Sequence, residues 1–200
     1  MKYCIINASH QDKSQSAKVG AYIQNYLKEQ QSVNTADIIH LHQMPLPVWT
    51  NELWKESEVA KQVQPLLDRI AQADAYIFIT PEYNGMATPL MKNFFLVAQG
   101  LDHKPAMIVS VSAGRSGSYP IAELRAFSHK NTHVLYVPEH IVVHNVNKVL
   151  NHQHMDENDT EDSYIKSRIQ YALNQLIVYT KHMVQVREEL VLDDKFPYGM

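Results

Sequence analysis

Residues 75–94 read AYIFITPEYNGMATPLMKNF. The run opens with five apolar residues, most of them β-formers, and an uninterrupted apolar run bounded by turn signals is the pattern of a strand buried on both faces. At its other end Thr88 and Pro89 form a helix start, with Thr as N-cap and Pro at the first helical position, while Gly100 lies beyond the expected helix end. Between strand and helix sits PEYNGMA, which carries Gly85, one of only six glycines in the chain. The end of a buried strand is where open α/β sheets keep their ligands.

The same alternation continues in both directions. Residues 3–6 read as a strand, and residues 16–30 place Val19, Ile23, Tyr26 and Leu27 on one helical face. Residues 36–41 form a second strand, and residues 58–73 a second helix with Val59, Val63, Leu66, Leu67 and Ile70 on one side. Pro65 is expected to kink or split that helix. After the strand at 75–80 and its helix come a fourth strand at 106–111, a helix at 121–130, a fifth strand at 133–137 and a long helix from about 162 to 187. Strands alternating with helices of this length imply right-handed crossovers and a parallel sheet covered on both faces. The expected fold class is therefore α/β: a flavodoxin-like three-layer sandwich with a five-stranded parallel sheet of order 2-1-3-4-5. Residues 1–200 read as a single domain, with an extra C-terminal tail from about residue 188.

Composition narrows the function classes. The chain has 200 residues, 18 Lys and Arg against 21 Asp and Glu, and a net charge of −3. That balance, with no basic stripe, argues against nucleic acid and anionic membrane surfaces as partners. No apolar run approaches the roughly 18 residues of a membrane span, and the N-terminus is too short in apolar residues for a signal-peptide core. Cys4 is the single cysteine; it excludes an internal disulfide and reads as core packing in a reducing, cytoplasmic setting.

In the expected strand order, three loops become neighbours: NASHQDKSQS (7–16), TPEYNGMAT (80–88) and SVSAGRSGS (110–118). The first carries Ser9, Ser14 and Ser16, with Gln11 and Lys13 between them, and runs into a helix N-terminus. Free N–H groups and the positive dipole end make such a place a phosphate seat, although an ordinary polar loop with a serine cap has the same composition. It lacks GxGxxG, the dinucleotide fingerprint. The second offers Glu82, Tyr83, Asn84 and Gly85, where a residue without Cβ lets a flat ligand approach the main chain; a tight Asn-Gly turn accounts for the same pair. The third has Gly114 and Gly117 around Arg115. The Pro- and Trp-containing segment 41–57 can form a wall beside the crevice.

PEYNG at 81–85, followed by a helix containing Lys92-Asn93, resembles the NAD(P)H-dependent FMN reductase family, which includes bacterial quinone, azo-dye and chromate reductases. IAQADAYIFIT and MPLPVWTNEL are also similar to that family's pattern, and the resemblance covers roughly residues 1–130. It implies bound FMN, NADPH or NADH as co-substrate, hydride transfer through flavin N5 to a small-molecule electron acceptor, and a homodimer or homotetramer with the flavin near the subunit interface. Carried over residue by residue, Ser9 and Ser14 match the phosphate loop, Gln11 stands where the family has arginine, and Ser16 replaces an asparagine. Pro81, Glu82, Tyr83, Asn84 and Gly85 match the segment that contacts the isoalloxazine, mainly through backbone groups. Ser112 and Gly114 preserve part of the third loop, and Arg115 departs from it. The cofactor carries the chemistry, so no side chain is assigned as catalytic. Gln11 in place of a charged, bidentate arginine leaves open an alternative: a non-catalytic or degenerate flavodoxin-like binding module with weakened FMN affinity.

Three remaining features have structural readings. His144, His152 and His154 near Asp156 read as a polar connection, with no metal assigned. DENDTED (156–162) reads as an acidic cap for the last helix. The tail, with Phe196, Pro197, Tyr198, Gly199 and Met200, is apolar enough to dock on another surface.

Overall fold

The structure is a computed structural model that describes residues 1–156, 158–193 and 195. Its elements run β1 (Lys2–Asn7), α1 (Gln15–Lys28), β2 (Thr35–His40), α2 (Glu58–Ala71), β3 (Ala75–Pro81), α3 (Pro89–Val97), β4 (Pro105–Val111), α4 (Tyr119–Phe127), β5 (Leu135–Tyr136), β6 (Ile141–Val143) and α5 (Thr160–Glu189). Short 3₁₀ turns at Leu41–Gln43 and Asn51–Trp54 lie between β2 and α2. The sheet order is β2-β1-β3-β4-β5 with every pair parallel, as the alternation implied.

A sixth strand is added to the five expected. β5 pairs with the start of β4 through Pro105↔Leu135 and Ala106↔Tyr136, and β6 pairs with its end through Val109↔Ile141 to Val111↔Val143. One lane of the sheet is thus filled by two short pieces instead of the single strand expected at 133–137. Pro138 lies between them; with no N–H and a fixed φ it cannot continue the ladder.

Every residue of β3 and β4 is buried, because helices cover both faces. Ile5, Ile77, Ile79 and Val109 pack with Val19 and Ile23 of α1 and Ile169, Leu173 and Leu176 of α5. The alternate positions Ile6, Phe78 and Ile108 face Leu66 and Ile70 of α2, Met91 and Phe94 of α3 and Leu124 of α4. The two-residue period of the strands therefore sorts the core into two layers around one sheet. Cys4 belongs to the second layer at 1 % exposure; burial first, and then Asp37, push its thiol up to about 12.

Of the expected kink or split at Pro65, the split does not occur: α2 runs through Pro65 as one helix. Pro65 deprives the Lys61 carbonyl of its donor, but both residues are exposed, so water can take the donor's place while Val63, Leu66 and Ile70 stay buried on the opposite side. The acidic run supplies the cap of α5: Asp159 accepts from the Asp162 N–H at 3.1 Å. Asp162 itself turns inward, taking the Leu150 N–H at 2.6 Å and the ammonium of fully buried Lys166 at 2.5 Å. The expected tail begins after Glu189, where α5 ends; Phe196, Pro197, Tyr198, Gly199 and Met200 lie outside the described residues.

Candidate functional site

β1, β3 and β4 end side by side, with Asn7↔Ile79 and Pro81↔Val111 as facing pairs, so the loops that follow them start as neighbours. They are also bonded to one another. Thr88 Oγ1 donates to the Ala8 carbonyl at 2.9 Å and accepts the Met91 N–H at 3.2 Å, and so caps α3 while holding the first loop. The Thr88 N–H reaches Thr80 Oγ1 at 3.2 Å. Glu82 N–H donates to the Val111 carbonyl at 2.9 Å, and Ser116 Oγ donates to Glu82 Oε2 at 2.5 Å.

In the first loop, Ser9 is 1 % exposed, and its Oγ accepts the Gln11 N–H at 3.2 Å. Ser14 is the N-cap of α1, its Oγ taking the Ala17 N–H at 3.0 Å. Both hydroxyls accept from the main chain, which leaves their O–H hydrogens available to donate. Ser16 is buried in the first turn, where the N–H groups of Gln15 and Ser16 lack an intrahelical acceptor, as at every helix start. Gln11 is exposed, and so are His10, Asp12 and Lys13. This donor set suits an anion but holds no guanidinium.

The second loop is a two-residue turn. Tyr83 and Met86 exchange both backbone hydrogen bonds at 3.0 Å, with Asn84 and Gly85 at φ of 51° and 75°. Two positive φ values make a type I′ hairpin, for which Asn-Gly is the preferred pair. Gly85 therefore serves the turn; nothing lies within 4 Å of where its Cβ would stand, so the main-chain face is open. Pro81 is buried at the end of β3, and Tyr83 is 38 % exposed, its ring 6.3 Å from that of His10.

The Lys92-Asn93 pair also finds its use here. Lys92 pairs with Glu123 of α4 at 2.5 Å, whose other carboxylate oxygen accepts the Ala87 N–H at 2.6 Å. Asn93 accepts the Trp49 N–H and donates to the Pro47 carbonyl, both at 2.8 Å, and so fastens the wall segment to α3.

In the third loop, Ser112 Oγ lies 3.2 Å from Ser116 Oγ and accepts the Gly114 N–H at 3.3 Å. The Gly114 carbonyl accepts the Asn145 N–H at 2.8 Å. Gly117 has φ of 126°, and a Cβ there would meet Val142 Cγ1 at 2.7 Å, so only glycine fits. Arg115 is exposed. Among the described residues no group of three His, Cys, Asp or Glu side chains is placed to hold a metal ion, and no helix is long and apolar enough to cross a membrane.

The sheet order, the loop contacts and the turn give the match to known proteins a physical basis. The model of the NADPH-dependent FMN reductase family matches residues 1–148. The chain belongs to that family. Among curated proteins it is 27 % identical over 122 residues to the NADH:(hydroxy)cinnamate reductase subunit CrdA of Vibrio ruber, covering 59 % of this chain. The match spans 57 % of that relative's length, little more than half. The fold is shared with an apo NADH:FMN oxidoreductase, EmoB, at TM-score 0.69 and 15 % identity, covering 98 % of this chain and 94 % of that one. It is shared as well with an FMN-dependent NADH-azoreductase from Bacillus anthracis in complex with FMN, at TM-score 0.60, 15 % identity and coverage of 88 % and 99 %. A third such structure is FerB, an NAD(P)H:acceptor oxidoreductase from Paracoccus denitrificans, at TM-score 0.59, 21 % identity and coverage of 94 % and 97 %.

Several residues that shape the crevice carry no signal in the sequence. Glu123 reaches Ala87 from 36 positions away. Lys18 of α1 donates to the Val146 and Val149 carbonyls at 2.6 and 2.7 Å and to Asn151 Oδ1 at 2.8 Å, anchoring the segment before α5; desolvation lowers its pKa. A groove of about 940 Å³ lies outside the three loops, between α3 and α4, with Trp49, Trp54, Phe95, Leu96 and Phe127 among its walls.

Proposed function

We propose that the chain is an FMN-dependent NAD(P)H oxidoreductase that passes a hydride to a small acceptor such as a quinone, an azo compound or a flavin. The observation that carries this reading is the bonded meeting of three strand-end loops around the PEYNG turn, in a chain of the FMN reductase family. The residues present suit the group: hydroxyl hydrogens and first-turn N–H groups can meet a phosphate, and the main chain at Gly85 is open to a flat ring. Ser9, Gln11, Ser14 and Ser16 would hold the phosphate end. Pro81, Glu82, Tyr83, Asn84 and Gly85 would line the ring, with Ser112 and Gly114 closing the third side. FMN, when bound, supplies the two-electron chemistry; the chain's own residues bind, orient and exclude water.

A second copy of the chain is the proposed cover of the α3–α4 groove. Leu96 and Trp54 are 59 % and 68 % exposed there beside Phe127, and the Lys92–Glu123 pair supplies both charges, so the surface is compatible with a self-complementary, two-fold contact. A cytoplasmic setting accords with the buried, unpaired Cys4 thiol.

The test is a yellow holoprotein, as purified or after incubation with FMN, that oxidises NADH or NADPH with a quinone as acceptor. The alternative, a degenerate binding module, draws on exposed Gln11 where the family has arginine. Flavin binding without NAD(P)H oxidation toward any acceptor would favour it.

A further inference from the structure

β2 ends on His40, directly across from Asn7 at the end of β1. The Ser9 N–H can only donate, and it meets one end of the Asn7 amide at 3.3 Å, so that end is Oδ1. The other end is then Nδ2, a donor, and it lies 3.0 Å from His40 Nδ1. Nδ1 must therefore accept, which places the His40 proton on Nε2 and makes the ring neutral. Two residues on, His42 Nε2 lies 3.0 Å from Asp12 Oδ1. One strand end thus holds the first loop at its root and again at its middle.

We propose that His40 is a positioning residue for the phosphate end of the crevice: neutral, it fixes Asn7 in the orientation that holds the Ser9 N–H, and protonation at Nδ1 turns the Asn7 amide over and frees the Ser9 N–H. This rests on the FMN reading above. Once Nδ1 carries a proton it faces a second donor, and only Asn7 Oδ1 can meet it. Ser9 then loses its acceptor, and FMN binding weakens on acidification.

The charged and titratable groups around His40 favour the neutral ring. Desolvation lowers its pKa first, then His42 from the turn after β2, then Arg69 from α2. Arg69 is itself held by the Asp37 carboxylate and the Ile38 carbonyl of β2. Asp12 faces His42 from the first loop. A positive charge near the phosphate would by itself strengthen binding at low pH, so the proposal predicts the opposite sign to a purely electrostatic role. Protonation of the FMN phosphate, with a second pKa of about 6, also weakens binding, and the control must carry that effect unchanged.

His40→Asn is that control, because an amide oxygen near the Nδ1 position accepts from Asn7 at every pH. In the FMN-free protein, NMR should show the Ser9 amide shifting with the His40 ring, at an inflection below 6.5. The FMN dissociation constant of the wild type should then rise about 3- to 10-fold more than that of His40→Asn between pH 7.5 and 5.5, the loss of one hydrogen bond. A Ser9 amide that ignores the His40 titration would overturn the proposal, and so would identical pH profiles in the two proteins. Absence of FMN binding at every pH would instead contradict the functional reading, while the Ser9 and His40 titration in the free protein would still decide this one.

Discussion

Thr88 Oγ1 and the Ala8 carbonyl are joined by a 2.9 Å hydrogen bond that spans 80 positions of sequence and ties the cap of α3 to the first loop. One hydroxyl therefore performs two tasks: it caps the start of α3, and it holds two of the three loops together. Thr88→Val keeps the shape and removes both bonds. It should lower unfolding free energy by about 1–3 kcal/mol in a denaturant titration, with Thr88→Ser recovering most of it. An unchanged midpoint for Thr88→Val would show that the tie contributes nothing.

Glu82 and Ser116 form the equivalent tie between the second and third loops. Glu82→Ala should leave global stability within about 0.5 kcal/mol, as expected for a half-exposed site. It should raise the FMN dissociation constant several-fold by freeing residues 112–117. Comparing melting temperature with FMN affinity separates the two effects, and equal affinity would remove Glu82 from the site.

Asn93 fastens Pro47 and Trp49 through two hydrogen bonds of 2.8 Å. Asn93→Ala should cost about 1–3 kcal/mol and shift tryptophan emission to longer wavelength as Trp49 and Trp54, whose rings lie 5.1 Å apart, become wetter. Emission identical to the wild type would mean that the segment is held by packing alone.

Leu96→Glu places a charge on the exposed wall of the α3–α4 groove. In light scattering it should convert a dimer to a monomer while circular dichroism stays unchanged. A wild-type monomer, or a variant dimer, would contradict the proposed second-copy contact.

His40 also sets a direction for stability against pH. Its folded-state pKa lies below the ordinary 6.5, so the unfolded chain binds the proton more readily. The stability linked to it is complete above pH 6.5 and is lost as pH falls through the folded value. Thermal melts of His40→Asn should show a shallower decline on acidification than the wild type; parallel declines would remove His40 as a contributor.

The sheet order was legible because the apolar pattern reports burial: AYIFI, short and bounded by turn signals, reads as a two-sided strand, and Val63, Leu66 and Ile70 recur at helical spacing. Pro65 does not split α2 because a proline's effect depends on which side of the helix meets water, which a local rule does not weigh. The divided edge strand was harder still, since Pro138 breaks a ladder whose partner, β4, is far away in sequence. At the crevice, serines, glycines and the PEYNG turn were visible as residue types. The side chains that hold them, Glu123 on Ala87 and His40 on Asn7, act across 36 and 33 positions and leave no local pattern.

The proposed function requires that the three loops form an FMN site despite Gln11. Titrating FMN into the purified chain at pH 8 and following flavin fluorescence tests it most directly. Saturable quenching at one flavin per chain is expected, with a dissociation constant of about 1 μM or tighter (roughly −8 kcal/mol). Gln11→Arg should tighten it about tenfold by adding a charge-assisted contact. Wild-type fluorescence that never quenches would contradict it, whether or not Gln11→Arg binds.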